Sequence, residues 1–569
     1  MKSISFKNFR RFADFPKLEF GDITILVGGN NAGKSTLLKA FILLVDNLRE
    51  LKMRNENVFN AFWPTFSFDM DHIHQLNLGT YSRAHKLGAR EGITFEAEIA
   101  HFKITFTIAA TQEEFDSPAA TIVGITILDK KRNIEFWFSP NEMGIDFKEL
   151  SKNAPEHRNI MAEYEKQFDE LLLRQKDALK TGDITEIASL NEEIAKVQRI
   201  MEQLNLSIPA KLGGTGTGRV FAPASNYVDG IALDDLTIPS NPLARFLYNW
   251  VGYQTLKPAL AEWVPVDLDD PKVKEVMEKP MADWLAEGSD PYSDVRDSME
   301  DGSFNKEDHE TNHAFLEDKI STIREVAQEL NKALYHLNEF DEVFYIQAHA
   351  ITQRVLYSID NRNDYMGQVL HRFIRENIQK GTEPDRFLKK WLKAFGIGVD
   401  YRVKSIEGEG YTLEISTSEN QWQHLADLGM GSNQLVTLLM ELATLLKTKG
   451  NRQYPIIIIE EPEQNLHPKV QSLLASLFSE LNKERGFKFL IETHSEYFIR
   501  HTQVLVAEMG LSEEELEKQN PFKVYYFPEE GTPYDMKYLT NGHFEESFGE
   551  GFFDEAGKWT RELIRSKRR

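Results

Sequence analysis

The segment that most restricts how this chain can fold is residues 28–35, GGNNAGKS, which fit the pattern G-x4-G-K-[ST] at every position. A largely apolar run, Asp22–Val27, precedes the segment and predicts a buried strand. Apolar residues at helical spacing follow from Ser35 to Leu44 and predict a helix. Because glycines let the backbone wrap around an anion at a helix N-terminus, the segment predicts a phosphate-binding loop in an α/β unit.

The polar residues of this loop predict how a nucleoside triphosphate would bind. Lys34 is expected to reach the β- and γ-phosphates, and the Ser35 hydroxyl is expected to bind Mg²⁺. The predicted nucleotide-binding residues are Gly28, Asn30, Asn31, Gly33, Lys34, Ser35 and Thr36. The pattern by itself leaves ATP and GTP open.

Two strands in the second half of the chain end in groups suited to phosphoryl transfer. The β-branched run Pro455–Ile459 leads into Glu460 and Glu461, and ligands bind at the carboxyl ends of strands in open α/β sheets. Because consecutive side chains point in different directions, Glu460 is expected to face Mg²⁺ while Glu461 acts as a base toward water. The run Phe489–Ser495 contains His494, which we expect near the γ-phosphate. A solvated strand end or a structural histidine is the alternative.

Composition limits the other chemistry available to the chain. It has no cysteine, which excludes disulfides, thiolate nucleophiles, cysteine-based zinc sites and iron–sulfur clusters. The net charge of −23 argues against a protein that coats nucleic acid, but it leaves a local basic patch open. The N-terminus lacks the apolar region of a signal peptide, and no run approaches about 18 apolar residues. We therefore expect a cytoplasmic protein without membrane contact.

Together these motifs resemble the ATP-binding-cassette (ABC) heads of the SMC, RecF and OLD (overcoming lysogenization defect) ATPase group. The strand SISFKNFRRF precedes the phosphate loop, and Glu460–His467, EEPEQNLH, lies over the Mg²⁺-binding carboxylate, catalytic Glu, Pro and D-loop of the cassette. Thr493-His494-Ser495 matches the switch histidine. The resemblance implies an α/β ABC-ATPase head with mixed sheets plus helices. It also implies ATP and Mg²⁺ as cofactors and hydrolysis of ATP to ADP and phosphate.

The resemblance further implies a signature loop that contacts the γ-phosphate held by an opposite subunit. Its expected residues are Gly431, Ser432, Asn433 and Gln434, at the start of an apolar helix. This loop implies a head-to-tail homodimer or higher homo-oligomer with two ATP molecules between the subunits. Met430 and Asn433 depart from the family's Ser-Gly-Gly, and Glu460 stands where transporters have Asp. Gln75 lies where a Q-loop could sit.

Two segments narrow the resemblance to one branch of the group. Residues 542–569 and Phe344–Tyr365 look like the nuclease-free ATPases of bacterial anti-phage systems, such as the ATPase subunits of Septu and PARIS. Because 75 residues follow His494 in this sequence, we expect no TOPRIM domain like that of the OLD nucleases. This branch implies an ATPase that senses or scaffolds and controls a separate nuclease or toxic effector protein by ATP-dependent head dimerisation.

Two other functions stay open at this point. A RecF-like DNA-repair clamp would need a basic surface, and residues 371–394 hold seven Lys or Arg against three acids, although a solvated helix face is the alternative. Nucleic acid is therefore a possible partner. A nuclease site in the chain itself is the third function, for which only His72 and His74 form a suggestive pair.

The chain divides into four predicted segments. Residues 1–150 form the N-terminal part of the ATPase head, where Ile93–Ile99 and neighbouring runs alternate like antiparallel strands. Residues 151–210 predict a helical hairpin with a coiled-coil seam, with two ordinary packing helices as the alternative. Residues 211–340 are expected to form a mostly helical, acidic insertion. Residues 341–569 form the C-terminal part of the head.

Overall fold

The computed structural model of the chain describes residues 1–49, 52–55, 62–68, 78–111, 115–139, 142–147, 171, 174, 190, 219–223, 321–334, 344–346, 353–358, 364–406, 409–418, 421–448, 456–550 and 552–566. Apart from residues 171, 174 and 190, the predicted hairpin over 151–210 lies outside these residues, as do most of the insertion over 211–340, His72, His74 and Gln75. The chain splits into two compact units. One comprises Met1, Lys7–Phe9 and Leu44–Leu337, and the other comprises Lys2–Phe6, Arg10–Leu43 and Asn338–Arg569.

The chain begins with three strands and a helix that surround the phosphate loop. They are β1 (Ser3–Phe9), β2 (Phe12–Glu19), β3 (Ile23–Gly28) and α1 (Lys34–Arg49). The strand and the helix predicted on either side of residues 28–35 are therefore confirmed. Strand β1 contributes residues to both units.

The first unit is built on an antiparallel sheet. Its elements are β4 (Lys52–Asn55), β5 (Phe62–Ser67), α2 (Tyr81–Ala84), β6 (Ile93–Ile99), β7 (Phe102–Ala109), β8 (Ala119–Asp129), β9 (Ile134–Phe138), β10 (Glu142–Phe147) and β11 (Arg219–Pro223). The strand order is β11-β10-β9-β8-β7-β6, followed by β1, and β5 pairs with both β4 and β8. Strand β7 pairs antiparallel with both β6 and β8, which confirms the predicted antiparallel strands, and buried and partly exposed residues alternate along β6 and β7.

A helical stretch over residues 321–334 is joined to the turn between β8 and β9 by a group of charges. The Arg132 guanidinium lies 2.8 Å from Glu329 Oε1 and 3.0 Å from Asp129 Oδ2. This guanidinium holds the pKa of Glu329 down at about 2. Ion pairs therefore attach the helical stretch over residues 321–334 to the turn between β8 and β9 of the same unit.

The second unit contains the remaining elements. They are β12 (Phe344–Ile346), β13 (Tyr357–Ser358), α3 (Tyr365–Arg375), α4 (Glu383–Ala394), β14 (Asp400–Ile406), β15 (Gly410–Ser418), β16 (Gln421–His424), α5 (Met430–Thr448), β17 (Ile456–Glu460), α6 (Pro468–Arg485), β18 (Lys488–Thr493), α7 (Glu496–Met509), α8 (Glu513–Gln519), β19 (Phe522–Phe527), β20 (Tyr534–Met536) and α9 (Glu555–Ser566). A short 3₁₀ turn, Leu425–Asp427, precedes α5.

The central sheet of this unit brings together strands that are far apart in sequence. Its order is β12-β17-β18-β3-β19-β20, and all neighbouring pairs are parallel except β19 with β20. Glu460 is paired with Glu492, and Thr493 is paired with Val27. The carboxyl ends of β17, β18 and β3 therefore lie side by side.

The core of the second unit explains why these strands have continuous apolar sequences. Ile25, Leu26 and Val27 are all fully buried, so both faces of β3 are covered. The residues of β18 from Phe489 to Ile491 are buried in the same way. A mixed α/β fold with several sheets and helices is thus confirmed. Among the described residues, no helix has the length and apolarity needed to cross a bilayer.

Candidate functional site

The loop between β3 and α1 has a backbone path that requires glycine at two positions. The φ angles of Gly28 and Gly33 are +155° and +106°. A Cβ atom on Gly28 would lie 2.2 Å from the carbonyl oxygen of Phe527, and one on Gly33 would lie 2.4 Å from the Phe12 ring. The first and last glycines of the G-x4-G pattern are therefore needed for the loop to close against its neighbours.

Lys34 and Ser35 begin α1 and are held by oxygen atoms of the site. The Lys34 ammonium donates to the carbonyl oxygens of Gly28 and Gly29, at 3.0 and 2.8 Å, and lies 3.6 Å from Glu492 Oε1. The Ser35 hydroxyl donates to the Glu492 carboxylate, 2.8 Å from Oε2 and 3.1 Å from Oε1. Burial lowers the pKa of Lys34 and outweighs the nearby carboxylates.

The other loop residues differ in exposure. Asn30 and Asn31 are exposed, and Asn31 has the left-handed φ of +61° that asparagine tolerates. Thr36 is buried, and its N–H donates to the carbonyl oxygen of Gly33 at 3.1 Å. The two asparagines are thus free of the core, whereas Thr36 belongs to the first turn of α1.

Glu460 is the last residue of β17, and Glu461 follows it in a strained backbone conformation. Glu461 has φ +44°, which is unusual for a residue with a side chain. Its N–H donates to the carbonyl oxygen of Glu492 at 2.8 Å, and its own carbonyl oxygen accepts from Gln434 Nε2 at 3.1 Å. Gln464 Nε2 donates to the Glu461 carboxylate at 3.3 Å. Bonds on both sides of Glu461 therefore hold it at the strand end.

His494 follows β18 and lies beside Glu461. Its Nε2 atom is 3.6 Å from Glu461 Oε1, and its backbone N–H donates to Glu463 Oε1 at 2.6 Å. Burial, reinforced by the positive charge of Lys34, lowers the pKa of His494. The imidazole is therefore neutral at pH 7 and can either donate or accept a hydrogen bond.

Glu492 is a member of the site that the sequence analysis did not identify. Glu461, Glu492 and His494 each offer one ligand atom, and these atoms lie within 4.8 Å of one another. Burial raises the pKa of Glu492 to about 7, against the opposing effect of Lys34. The available signal was a carboxylate within the otherwise apolar strand Phe489–Thr493. Glu463 was also missed, and burial raises its pKa.

Two residues of the expected signature loop contact the segment that follows β17. A Cβ atom on Gly431 would lie 2.5 Å from the carbonyl oxygen of Asn465, so the start of α5 packs closely against this turn. Gln434 reaches the carbonyl oxygen of Glu461, as described above. The signature loop and the turn after β17 are thus in direct contact within one chain.

The other two residues of this loop stabilise the loop itself. The side chain of Asn433 is fully buried, and its Nδ2 atom donates to the carbonyl oxygens of Leu425, Leu428 and Gly429, at 3.0, 3.3 and 3.3 Å. Ser432 is half-buried, and its N–H donates to the Gly429 carbonyl oxygen at 2.9 Å. Asn433 therefore shapes the turn before α5 from inside the unit.

Comparison with known families identifies the class of the chain. A family model described as the AAA ATPase domain matches residues 1–499, and this range includes the phosphate loop, Glu460 and Glu461 at the end of β17, and His494. The chain belongs to the AAA ATPase domain family. No curated protein sequence matches it.

Solved structures similar to this AAA ATPase include heads of Smc proteins. One is the Smc head domain with an extended coiled coil bound to the C-terminal domain of ScpA from Pyrococcus furiosus, with 14% identity over 99% of both chains and a TM-score of 0.30. Another is the Smc head domain with a coiled coil and joint from Pyrococcus yayanosii, with 10% identity over 95% of this chain and 97% of that chain and a TM-score of 0.31. Similarity at this level does not define a common function.

The donor groups of the site fit the nucleotide and Mg²⁺ that an AAA ATPase is expected to bind. The phosphate loop, the N-terminus of α1 and Lys34 offer N–H groups and a positive charge to phosphates. The Ser35 hydroxyl and the carboxylates of Glu460, Glu461 and Glu492 are oxygen ligands of the kind that Mg²⁺ prefers. Among its described residues, this site has no thiolate and no cluster of imidazoles, which are the ligands that softer metals prefer.

Proposed function

We propose that this AAA ATPase hydrolyses ATP to ADP and phosphate at the ends of β3, β17 and β18. One observation carries the proposal. Three adjacent parallel strands bring Lys34 and Ser35, Glu461 and His494 together from segments more than 400 residues apart. Groups for phosphate binding, water activation and charge stabilisation thereby share one site.

Each residue has a distinct role in the proposed reaction. Lys34 binds the β- and γ-phosphate oxygens, while Ser35 and Glu460 hold Mg²⁺, which when bound neutralises negative charge on the phosphates. Glu461 accepts a proton as the water oxygen attacks the γ-phosphorus atom and the bond to the β-phosphate oxygen breaks. Neutral His494 donates a hydrogen bond to the transferred phosphoryl group.

Two substitutions test this site. Glu461→Gln removes the base but keeps the shape, so ATP affinity is expected to stay within about threefold of the wild type while turnover falls about 100-fold or more. Lys34→Ala is expected to abolish measurable ATP binding. Phosphate release and binding of a fluorescent ATP analogue measure the two effects. Normal turnover by Glu461→Gln would contradict the assignment of Glu461, and Glu496→Gln, at a partly exposed position at the start of α7, is the control.

We infer that a second copy of the chain completes each ATP site through its signature loop, as the resemblance to ABC heads implies. The hydrogen bond between Gln434 and Glu461 supports this arrangement. In such a dimer, the signature loop of one chain would contact the nucleotide bound by the second chain, and Glu461 of the first chain would lie beside that chain's own nucleotide. The bond would therefore link the two nucleotide sites. In the Glu461→Gln variant, ATP should convert monomers into dimers. Light scattering after size exclusion measures this change, and an ATP-independent mass would contradict it.

We further infer that the chain is the ATPase subunit of an anti-phage complex and controls a separate nuclease or toxic effector. The support is the resemblance of residues 542–569 and Phe344–Tyr365 to the Septu and PARIS ATPases. The test is plaque formation on cells that carry this gene with its neighbouring gene. Protection that disappears with Lys34→Ala, or with loss of the neighbour, is expected. Protection by the ATPase gene alone would contradict the proposal.

The RecF-like alternative gains no support from the basic segment 371–394. Five of its cations have a carboxylate oxygen within 4 Å. These pairs are Arg372 with Glu441, Arg375 with Glu376, Lys380 with Asp400, Lys389 with Asp385, and Lys390 with Glu480. Because these charges are already balanced, fewer remain for phosphate backbones. Salt-dependent binding of duplex DNA by the purified chain would restore this alternative.

A further inference from the structure

The carboxylate of Glu492 lies against the two groups that the proposed ATP site requires. It accepts the Ser35 hydroxyl at 2.8 Å and lies 3.6 Å from the Lys34 ammonium. Its side chain is only 7% exposed, so water screens its charge weakly. Glu492 therefore lies next to both Lys34, the expected phosphate ligand, and Ser35, the expected Mg²⁺ ligand.

This placement has opposite consequences for free ATP and for ATP with Mg²⁺. Free ATP would bring its negatively charged phosphates toward the buried Glu492 carboxylate, and the phosphates would have to compete with this carboxylate for the Lys34 ammonium. A divalent cation beside Ser35 would be attracted by the same carboxylate, and its charge would offset the repulsion between carboxylate and phosphate. One negative charge thus disfavours the nucleotide alone and favours the nucleotide with its cation.

We propose that Glu492 makes nucleotide binding by this chain depend on a divalent cation, through its contacts with Lys34 and Ser35. The proposal rests on the ATP site proposed above but not on hydrolysis. Glu460 is the last residue of the neighbouring strand β17 and Glu461 follows it, whereas Glu492 contacts the Ser35 hydroxyl directly. Glu460 is the proposed Mg²⁺ ligand, whereas Glu492 is the carboxylate that contacts Ser35 and lies beside Lys34 at the same time.

Calorimetric titration with ATP, in Mg²⁺ and separately in EDTA, tests the proposal without a measurement of turnover. The titrations are made at about pH 8.5, where the Glu492 carboxyl group, whose pKa is about 7, is ionised. The wild type should bind ATP about 30-fold or more tightly in Mg²⁺ than in EDTA. Glu492→Gln should bind about tenfold more tightly than the wild type in EDTA, so the ratio falls to about threefold. Glu492→Asp keeps the charge and should keep a ratio above tenfold.

Glu496→Gln is the matched control, because it makes the same chemical change at a partly exposed position that pairs with Arg500. It should have the wild-type ratio. An Mg²⁺-to-EDTA ratio in Glu492→Gln equal to that of the wild type and of Glu496→Gln would overturn the role of Glu492. If Glu492→Gln does not fold, a Glu492→Asp ratio below threefold would overturn it instead. Absence of ATP binding by the wild type in both buffers would overturn the ATP site itself, which is a distinguishable result.

Discussion

At the candidate site, Glu461 is held in an unfavourable backbone conformation by hydrogen bonds with two other residues. A left-handed φ at a residue with a side chain costs about 1–2 kcal/mol. The N–H of Glu461 is held by the Glu492 carbonyl oxygen, and its own carbonyl oxygen is held by Gln434. These two bonds offset the strain and direct the Glu461 side chain toward His494.

Loss of the bond from Gln434 should therefore misplace the proposed base. Gln434→Ala is expected to lower kcat about tenfold while KM for ATP changes less than threefold, because the phosphate loop is untouched. Steady-state phosphate release measures both constants. Gln421→Ala, at an exposed position on β16, is the control. A rise in KM with unchanged kcat would contradict a positioning role for Gln434.

The lowered pKa of His494 predicts a pH dependence of stability. The unfolded chain binds a proton at this histidine near pH 6.5, whereas the folded chain binds it only at lower pH. Stability contributed by His494 is therefore present above about pH 6.5 and is lost as the pH falls below it. Between pH 7.5 and 5.5, the unfolding midpoint of His494→Gln should fall less than that of the wild type. An equal fall in the two proteins, with His543→Gln as the control, would contradict the prediction.

At the scale of elements, the parallel pairing of β17, β18 and β3 decides which side chains meet. The pairs Glu460–Glu492 and Thr493–Val27 align the ends of these strands. The start of α5 then packs on the turn after β17, where Gly431 allows the approach to the Asn465 carbonyl oxygen. Close packing of this kind leaves no room for an added methyl group.

Two glycines at the start of α5 provide a matched test of that packing. In Gly431→Ala the new methyl group would meet the Asn465 carbonyl oxygen at 2.5 Å, so stability should fall by about 1–3 kcal/mol and turnover should fall with it. In Gly429→Ala nothing lies within 4 Å of the new atom, and little change is expected. Thermal unfolding and phosphate release compare the two variants. Equal stability and equal turnover in the two variants would contradict a role for the close approach of Gly431 to the Asn465 carbonyl oxygen.

At the scale of the whole molecule, helix α9 stands apart from the rest of the second unit. None of its residues is buried, and Trp559, Leu563 and Ile564 are more than half exposed. The segment before it is different, because Phe548 and Phe552 pack against the core of the second unit. Burial of apolar area is the main source of stability, so α9 contributes little to the fold that precedes it.

Removal of residues 555–569 should therefore leave the ATP site intact. The unfolding midpoint is expected to change by less than about 2 °C, and ATP affinity should remain that of the full chain. Calorimetry and nucleotide titration measure these quantities. Removal of residues 548–569 is the comparison, because it also takes away the partly buried rings of Phe548 and Phe552 and should lower the midpoint. Equal falls of the unfolding midpoint in the two truncated chains would contradict the inference that α9 contributes little to stability and that the aromatic rings before it contribute more.

Several features of this protein depend on local pattern and could be predicted from the order of its residues. The G-x4-G-K-S segment between an apolar run and a helical pattern located the phosphate loop. Alternation of apolar residues located β6, and the apolar strand before Glu460 and Glu461 located the second group of polar residues. These features could be predicted because spacing along the chain follows from the geometry of a single strand, helix or turn.

Which of the polar groups meet, and how each is surrounded, depends on the folded chain. Folding placed Glu492 on Ser35, buried Asn433 within its own turn, and paired most of the cations in residues 371–394 with carboxylates. The physical reason is that burial and charge pairing depend on residues distant in sequence. The pairing of β18 with β3 joins residues more than 400 positions apart, and no local pattern records that distance.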